Sequence, residues 1–513
     1  MNRRKFIKTS LITGAASAAI LPSMTALSEQ PQADAPTSEW ARNRERVPSS
    51  EHPALRKANE ARRAEDTRPN ILLIYTDQQT INALSCAGNP WVRTPNMDAL
   101  ARRGVRFEHS YCPAPICGPS RSCLTYGRMP HETGVRYNSE SPHESLPNIG
   151  TALRDAGYDT TWAGKWHLPD SYPPAGAIPG FHYLRHPVGT LGDFLGDAVD
   201  MHYAQAAGHY LRWHAGLSSK PWFLGVSFHN PHDICHYFLD ESVGMPERDA
   251  DVIGAEGLPP LPANHEVDPH EPELLVNRRK QMKYAAEIGK HGDLSPTHWR
   301  AYLQTYYHMT QTVDRCLTPI LEGLDAGGWA KNTLIVFTSD HGEGMAAHRW
   351  FTKLSLYQET VKVPFIALLP GEITNGKGRV DRDHLVSGLD LFPTCLDYAG
   401  VPADKWPAGL RGLSLRNLFE QKEAQGWREY IVTAVDFDPA RPDEVGRMIV
   451  TADGWKYCAY SKGANPETLF NLNVDPGEMN NLVKDAACIA QLGRLRGLLQ
   501  DWVKKTADPF AIQ

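Results

Sequence analysis

The 513-residue chain is poor in cysteine: there are nine, an odd number, and nowhere do two C-x-x-C pairs occur. That sparsity excludes a disulfide-framework scaffold and a paired-cysteine zinc module. Basic runs are missing beyond the N-terminus, and 59 acidic residues outnumber 53 basic ones for a net charge of −6. A surface built to follow a phosphate backbone is therefore excluded, and no nucleic-acid partner is expected. After the N-terminus no apolar run reaches the ~20 residues a membrane span requires. Internal repeats are absent too, which excludes solenoids and propellers.

The first 28 residues are the exception to this evenness. MNRRKFIKTSLITGAASAAILPSMTALS carries Arg3 and Arg4, then Phe6 and Lys8, then a moderate apolar run to about Leu27. It reads as a twin-arginine export signal cleaved near Ser28, so the translocase is an expected partner and the periplasm or the medium the expected location. Residues 29–68 read as a charged, Pro/Ala-rich arm.

From Pro69 the pattern becomes that of a folded core. Continuous apolar runs at 71–75, 222–228 and 333–339 have the character of strands buried on both faces. Between them lie helical patterns. TPNMDALARRG repeats Met97, Leu100 and Ala101 and stops at Gly104; TALRDAG stops at Gly157; residues 302–321 place Tyr302, Leu303, Tyr306, Met309, Val313, Leu317 and Ile320 on one face. Strands alternating with helices predict an α/β sandwich around a large, mostly parallel sheet over 69–425. Residues 240–297 read as an irregular, Pro-rich insertion of the kind that often serves function. After residue 425 short alternating strands and a closing amphipathic helix predict a smaller antiparallel subdomain, 426–513.

Three of the buried strands run straight into polar residues: Asp77-Gln78, His229 and Asp340-His341. The strand at TTWAG leads to Lys165 and His167. Ligands bind beyond the carboxyl ends of parallel strands, so these residues should share one rim. Asp77, Gln78, Asp340 and His341 offer two carboxylates, an amide oxygen and an imidazole. That set suits a hard divalent cation, Ca²⁺ foremost, with Mg²⁺ or Mn²⁺ open.

Three cysteines gather in CPAPICGPSRSCLTYGR, residues 112–128. A helix predicted from Ser120 to Gly127 would put Cys117 at its N-terminus, a natural anion site and a place where a thiolate is stabilised. Cys112 and Cys123 are left open as a pair, as buried thiols or as incidental.

The run C-G-P-S-R followed by SCLTYGR resembles the hallmark of the type I sulfatases, of the alkaline-phosphatase-like superfamily. GYDTTWAGKWH, DHGEGMAAHRW and LFNLNVDPGEMNNL resemble further signatures of that family, in the same order, from Pro69 to about Leu482. The resemblance implies an alkaline-phosphatase-like fold. It also implies that Cys117 is oxidised to formylglycine by a formylglycine-generating enzyme. One hydroxyl of the hydrated aldehyde would attack sulfur; deprotonation of the other would release sulfate by C–O cleavage. Asp77, Gln78, Asp340 and His341 resemble the metal ligands, with the modified Cys117 as a further one. Arg121 would hold the hydrate and the carboxylates, and Lys165 and Lys353 would neutralise the sulfate oxygens. His167 resembles the base on the second hydroxyl. His229, with Lys353, would protonate the leaving oxygen.

Two features depart from the common pattern. Many members carry paired aspartates where this chain has Asp77-Gln78, and Asn where it has His341; these choices resemble the branch of choline sulfatases and phosphonate monoester hydrolases. The GEGMAAHRW loop resembles sulfatases of sulfated glycans instead. The leading expectation is removal of sulfate from a carbohydrate. Hydrolysis of a phosphonate monoester or phosphodiester, or of an aryl or choline-type sulfate, is the alternative, and a non-catalytic glycan-binding protein is the third. His348, Arg349 and Trp350, with the 240–297 insertion, are expected to select the substrate by gripping a carboxylate and stacking on a sugar ring.

Overall fold

The computed structural model describes residues 66–168, 178–184, 196–237, 257–281, 294–371, 378–422, 424 and 426–511. The export signal and nearly all of the arm lie outside the described residues, as do parts of the insertion.

An eight-stranded sheet forms the centre. Its strands are β1 (Asn70–Asp77), β2 (Val105–Phe107), β4 (Asp159–Gly164), β5 (His182–Tyr183), β6 (Trp222–Pro231), β7 (Thr333–Ser339), β8 (Phe365–Leu368) and β9 (Arg379–Asp381). The order is β5-β4-β6-β1-β7-β8-β2-β9. All neighbours are parallel except where β8 meets β7 and β2. The strands β3 (Ser110–Tyr111) and β10 (Val386–Ser387) form a small parallel pair beside it.

Every residue of β1 is buried, which explains its unbroken apolar run. Side chains alternate across the sheet. Ile71, Leu73 and Tyr75 join one core with Phe223 and Val336, and with helix α2 (Cys117–Tyr126), α3 (Ile149–Asp155) and α7 (Leu391–Tyr398). Leu72 and Ile74 join the opposite core with Leu224 and Val226 and with α1 (Pro95–Arg103), α4 (Gly196–Trp213) and α6 (Pro296–Ala326). Helices α4 and α6 pack closely because glycines meet at their crossing. A Cβ on Gly323 would lie 2.3 Å from the Gly208 carbonyl oxygen. The described part of the insertion includes α5 (Glu273–Gln281).

The C-terminal strands β11 (Tyr430–Asp436), β12 (Val445–Thr451), β13 (Trp455–Tyr460) and β14 (Glu467–Asn471) make a separate antiparallel meander. Helix α8 (Ile489–Thr506) covers one face through Leu492, Leu495 and Leu499. The other face, with Met448, Val450 and Tyr460, shares a core with Tyr302, Trp350 and Val361 of the larger unit. The architecture is thus the expected α/β sandwich with a smaller antiparallel sheet. Among the described residues no helix is long and apolar enough to cross a membrane.

Candidate active site

The parallel register brings the ends of β1, β4, β6 and β7 to one rim. Helix α2 points its first residue at the same place. Its N-cap is Ile116 and Cys117 is its first helical residue, three positions before the predicted start. Pro119 misled that prediction: in the first turn a proline lacks only an N–H that has no helical partner anyway. All ten residues of α2 are buried.

Residue 117 is the unmodified cysteine here, so its Sγ marks where the oxygen substituents of an oxidised residue would stand. Sγ lies 3.4 Å from Asp77 Oδ1, 3.2 Å from His341 Nε2 and 2.9 Å from Lys353 Nζ. Burial and Asp77 push the thiol up, but the cations Lys353, His341 and Lys165 together outweigh them and hold it well below the ordinary thiol value. The other two cysteines of the cluster are buried free thiols, as burial-raised values accompany.

Arg121, one turn along α2, ties the carboxylates together. It donates through Nε to Asp340 Oδ2 and through Nη2 to Asp77 Oδ2, each at 2.8 Å. Its Nη1 donates to Ser227 Oγ at 2.9 Å and to the Lys165 carbonyl at 3.2 Å, and the guanidinium covers the Tyr75 ring. Lys165 Nζ also takes Asp77 Oδ2, at 2.7 Å. Both Oδ2 atoms are therefore engaged by cations, which leaves both Oδ1 atoms facing the His341 ring, each 3.8 Å from Nε2. His341 Nδ1 lies 2.8 Å from the Gly342 carbonyl and donates to it, so the proton on Nε2 is the one that a bound cation would displace to meet the lone pair there.

Asp77, Cys117, Asp340 and His341, all buried, place one ligand atom each within 4.8 Å of the others. Burial and then Asp77 push Asp340 up to about 6, a cost that a cation between the carboxylates would remove. The donor set fits a divalent metal. Gln78, held at a left-handed φ of 68°, is buried beside it, with its backbone N–H on Asp340 Oδ1 at 3.0 Å. Its amide nitrogen donates to Glu343 Oε2 at 2.7 Å.

The histidines separate into two groups. His167 and His232 both reach the Cys117 sulfur. Burial, then Lys353 and Lys165, drives His232 down to about 3, so it stands neutral. His229 instead stacks on Tyr203 and takes its place from Asp200, which accepts its backbone N–H at 2.7 Å. Sequence reasoning thus missed His232; the second histidine of FHNPH looked like a turn residue, and only the turn after β6 aims it at the cluster. Glu343 was missed as well, although it lies three residues beyond Asp340.

The expected substrate grip is not assembled as anticipated. Trp350 is fully buried and its indole N–H donates to the Lys353 carbonyl at 3.1 Å, so its ring offers no face to a sugar. His348 is 1% exposed and stacks on Tyr357. Arg349 alone reaches solvent, paired with Glu266 of the insertion at 2.8 Å. Backbone N–H groups of His348 and Arg349 donate to the carbonyls of Asn264 and His265, so the insertion clasps this loop.

Comparison with known proteins gives the same family over most of the chain. The Sulfatase family model matches residues 69–401, and the model for the N-sulphoglucosamine sulphohydrolase C-terminal region matches 346–505. A Delta 4,5-hexuronate-2-O-sulfatase of Bacteroides thetaiotaomicron is 31% identical over 460 residues, 86% of this chain and 90% of that protein. A solved 2-O GAG sulfatase superposes with a TM-score of 0.74 at 28% identity, covering 87% and 95% of the two chains. The phosphonate monoester hydrolase of Agrobacterium radiobacter superposes at 0.67 with 27% identity, covering 84% and 95%. A buried cysteine on a helix N-terminus, an arginine bridging two carboxylates and these matches lead to one conclusion: this chain belongs to the sulfatase family and is a sulfuric ester hydrolase.

Proposed function

We propose that the enzyme removes sulfate from a carbohydrate after Cys117 has been converted to formylglycine. The observation that carries the reading is that Cys117 Sγ lies within 3.4 Å of Asp77 Oδ1, His341 Nε2 and Lys353 Nζ at once. The relatives named above act, by their names, on 2-O-sulfated hexuronate and GAG substrates, which supports a sugar.

A divalent cation held by Asp77, Gln78, Asp340 and His341, with the modified residue 117, would supply Lewis acidity toward the sulfate and the nucleophile; calcium is the proposed ion. The chain's own groups do the rest. Arg121 fixes both carboxylates, so their oxygens face the reacting position without rearrangement. Lys165 and Lys353 give the site a positive excess to receive a monoanionic ester and stabilise its equatorial oxygens as charge builds. His167, with pKa lowered chiefly by burial, is neutral and able to take a proton from the residue-117 side chain. Beside Sγ, the protonated Lys353 carries the proton for the leaving oxygen and the neutral His232 ring is placed to relay it, a role assigned here to His232 rather than His229.

The test is sulfate release from defined sulfated mono- and disaccharides by mature enzyme, beside phenylphosphonate and nitrophenyl sulfate esters. Release from a sugar with kcat/KM at least about tenfold above that for the phosphonate is the expected result. A preference for the phosphonate overturns the reading in favour of the hydrolase it superposes on. We propose further that the enzyme is exported folded by the twin-arginine route. An Arg3→Lys/Arg4→Lys chain should then stay in the cytoplasm of the producing cell, and unchanged export rejects the route.

A further inference from the structure

We propose that Glu343 is a positioning residue that fixes which end of the Gln78 side chain faces the cation and, through the same carboxylate, anchors the loop that delivers Lys353. The inference rests on the reading that Gln78 is a metal ligand.

A primary amide has no preference of its own between presenting oxygen and presenting nitrogen. Only its hydrogen-bond partners decide. A cation needs the oxygen; an NH₂ turned toward it would repel it and leave the coordination short by one donor. In this enzyme the buried carboxylate of Glu343 makes the choice. Glu343 Oε2 accepts from Gln78 Nε2 at 2.7 Å, and a carboxylate can accept but not donate. With the nitrogen committed, Oε1 is the end left over. The Cys235 sulfur lies 3.3 Å from Oε1 and 3.2 Å from Nε2, so it favours neither end and the choice falls to Glu343. The backbone of Gln78 is pinned on both sides, by Asp340 Oδ1 on its N–H and by the Tyr306 hydroxyl on its carbonyl at 2.7 Å. The side chain thus has one remaining choice, the sense of its amide, and Glu343 removes it.

The other oxygen of the same carboxylate is directed elsewhere. Glu343 Oε1 accepts from the Tyr302 hydroxyl and from the Thr352 backbone N–H, both at 2.6 Å. Thr352 directly precedes Lys353. Both Thr352 and Leu354 adopt left-handed backbone, φ 61° and 66°, a conformation non-glycine residues hold only under external constraint. One side chain therefore joins a candidate metal ligand to the cation that sits 2.9 Å from Cys117 Sγ. Tyr302, from α6, holds the carboxylate in turn. Groups that orient a ligand from behind typically change metal affinity by about 10–100-fold when removed.

The experiment measures calcium binding by titration of chelator-stripped enzyme, separately from turnover. Glu343→Gln keeps shape and length but can donate to Gln78 as readily as accept. It should bind calcium about 10-fold more weakly or worse, with kcat falling more than KM rises. The reciprocal variant Q78E/E343Q restores a fixed sense, because the amide of residue 343 then donates to one oxygen of residue 78 and leaves the other outward. It should regain most of the lost calcium affinity. Tyr302→Phe removes only a hydroxyl and covers the case that E343Q does not fold; it should weaken calcium binding measurably. If E343Q or Y302F binds calcium as the parent does, the proposal is wrong. It is also wrong if the reciprocal variant folds and stays as weak as E343Q, since the carboxylate would then act only as packing. If the parent enzyme itself binds no divalent cation, the metal reading falls, which is a different failure from parent-like binding by the variants.

Discussion

Arg121 contributes by geometry as much as by charge. Its planar fork spans Asp77 and Asp340 while its third edge bonds Ser227 and a carbonyl, an arrangement a lysine cannot copy. Arg121→Lys keeps the charge but leaves one carboxylate without its charge-assisted bond. It should lower kcat roughly 100-fold, corresponding to about 2–3 kcal/mol, as steady-state sulfate release would record. The histidines admit a sharper comparison. Protonation of the leaving oxygen matters for a sugar alcohol and hardly at all for nitrophenolate. His232→Ala should therefore cost about 10²–10⁴-fold on a saccharide sulfate and far less on nitrophenyl sulfate. His229→Ala, at a ring stacked on Tyr203, should slow both substrates alike. A leaving-group-selective loss in the His229 variant instead would return the acid role to that residue. The two histidines stand three positions apart in one short stretch, and nothing in those letters says which ring turns inward; the turn after β6 decides it.

Among the secondary-structure elements, the buried strands were the most legible. A run such as NILLIYTD has one consistent reading because both of its faces meet apolar helices. The loop from Met345 to Leu354 was the least legible. Six of its non-glycine residues take positive φ, between 49° and 66°, which no local sequence rule would suggest. Distant groups hold it in place, Glu343 on Thr352 and the insertion's carbonyls on His348 and Arg349. That is why the run HRW read as a substrate grip although two of its three side chains are buried. Contacts between elements also set a pH dependence. Asp314 of α6 caps α1 by accepting the backbone N–H groups of Asn96 and Met97. Burial nonetheless pushes its carboxyl up to about 7. Since the folded value exceeds the unfolded one, this group favours folding at low pH and loses that contribution as pH rises from about 4 to about 7. Asp314→Asn should flatten the thermal midpoint against pH over that window in differential scanning calorimetry. A profile parallel to the parent's would show that Asp314 does not titrate there.

At the scale of the whole molecule the two sheets are joined by polar groups as well as by apolar ones. Strand β11 bonds the segment that leads into α2: the Ala434 N–H and the Thr433 hydroxyl donate to the carbonyls of Pro113 and Cys112 at 2.9 and 2.7 Å. The smaller sheet thus helps to place Cys117, five residues on. Beside this seam Lys456 of β13 is fully buried, with Nζ 2.6 Å from Glu478 Oε1. Glu359, in the short helix Gln358–Val361 before β8, lies in the same cluster with His348, and burial followed by Glu478 pushes its carboxyl up to about 7. Lys456 is the cation these two carboxylates share, since burial and Lys456 itself drive His348 down to about 3 and keep it neutral. Lys456→Met would leave Glu478 buried without its ion-pair partner, a change that typically costs about 3–5 kcal/mol. The sign with pH follows. Both carboxyls have folded values above their unfolded ones, so protonation relieves the variant, and its deficit should be largest above pH ~7 and shrink toward pH ~5. Thermal midpoints of parent and variant, measured across that range, should converge on acidification. If the seam positions Cys117 as the β11 bonds imply, the variant's activity loss should exceed its loss of folded protein at neutral pH and recede with it; a gap between the midpoints that is constant with pH would mean that Lys456 serves packing alone.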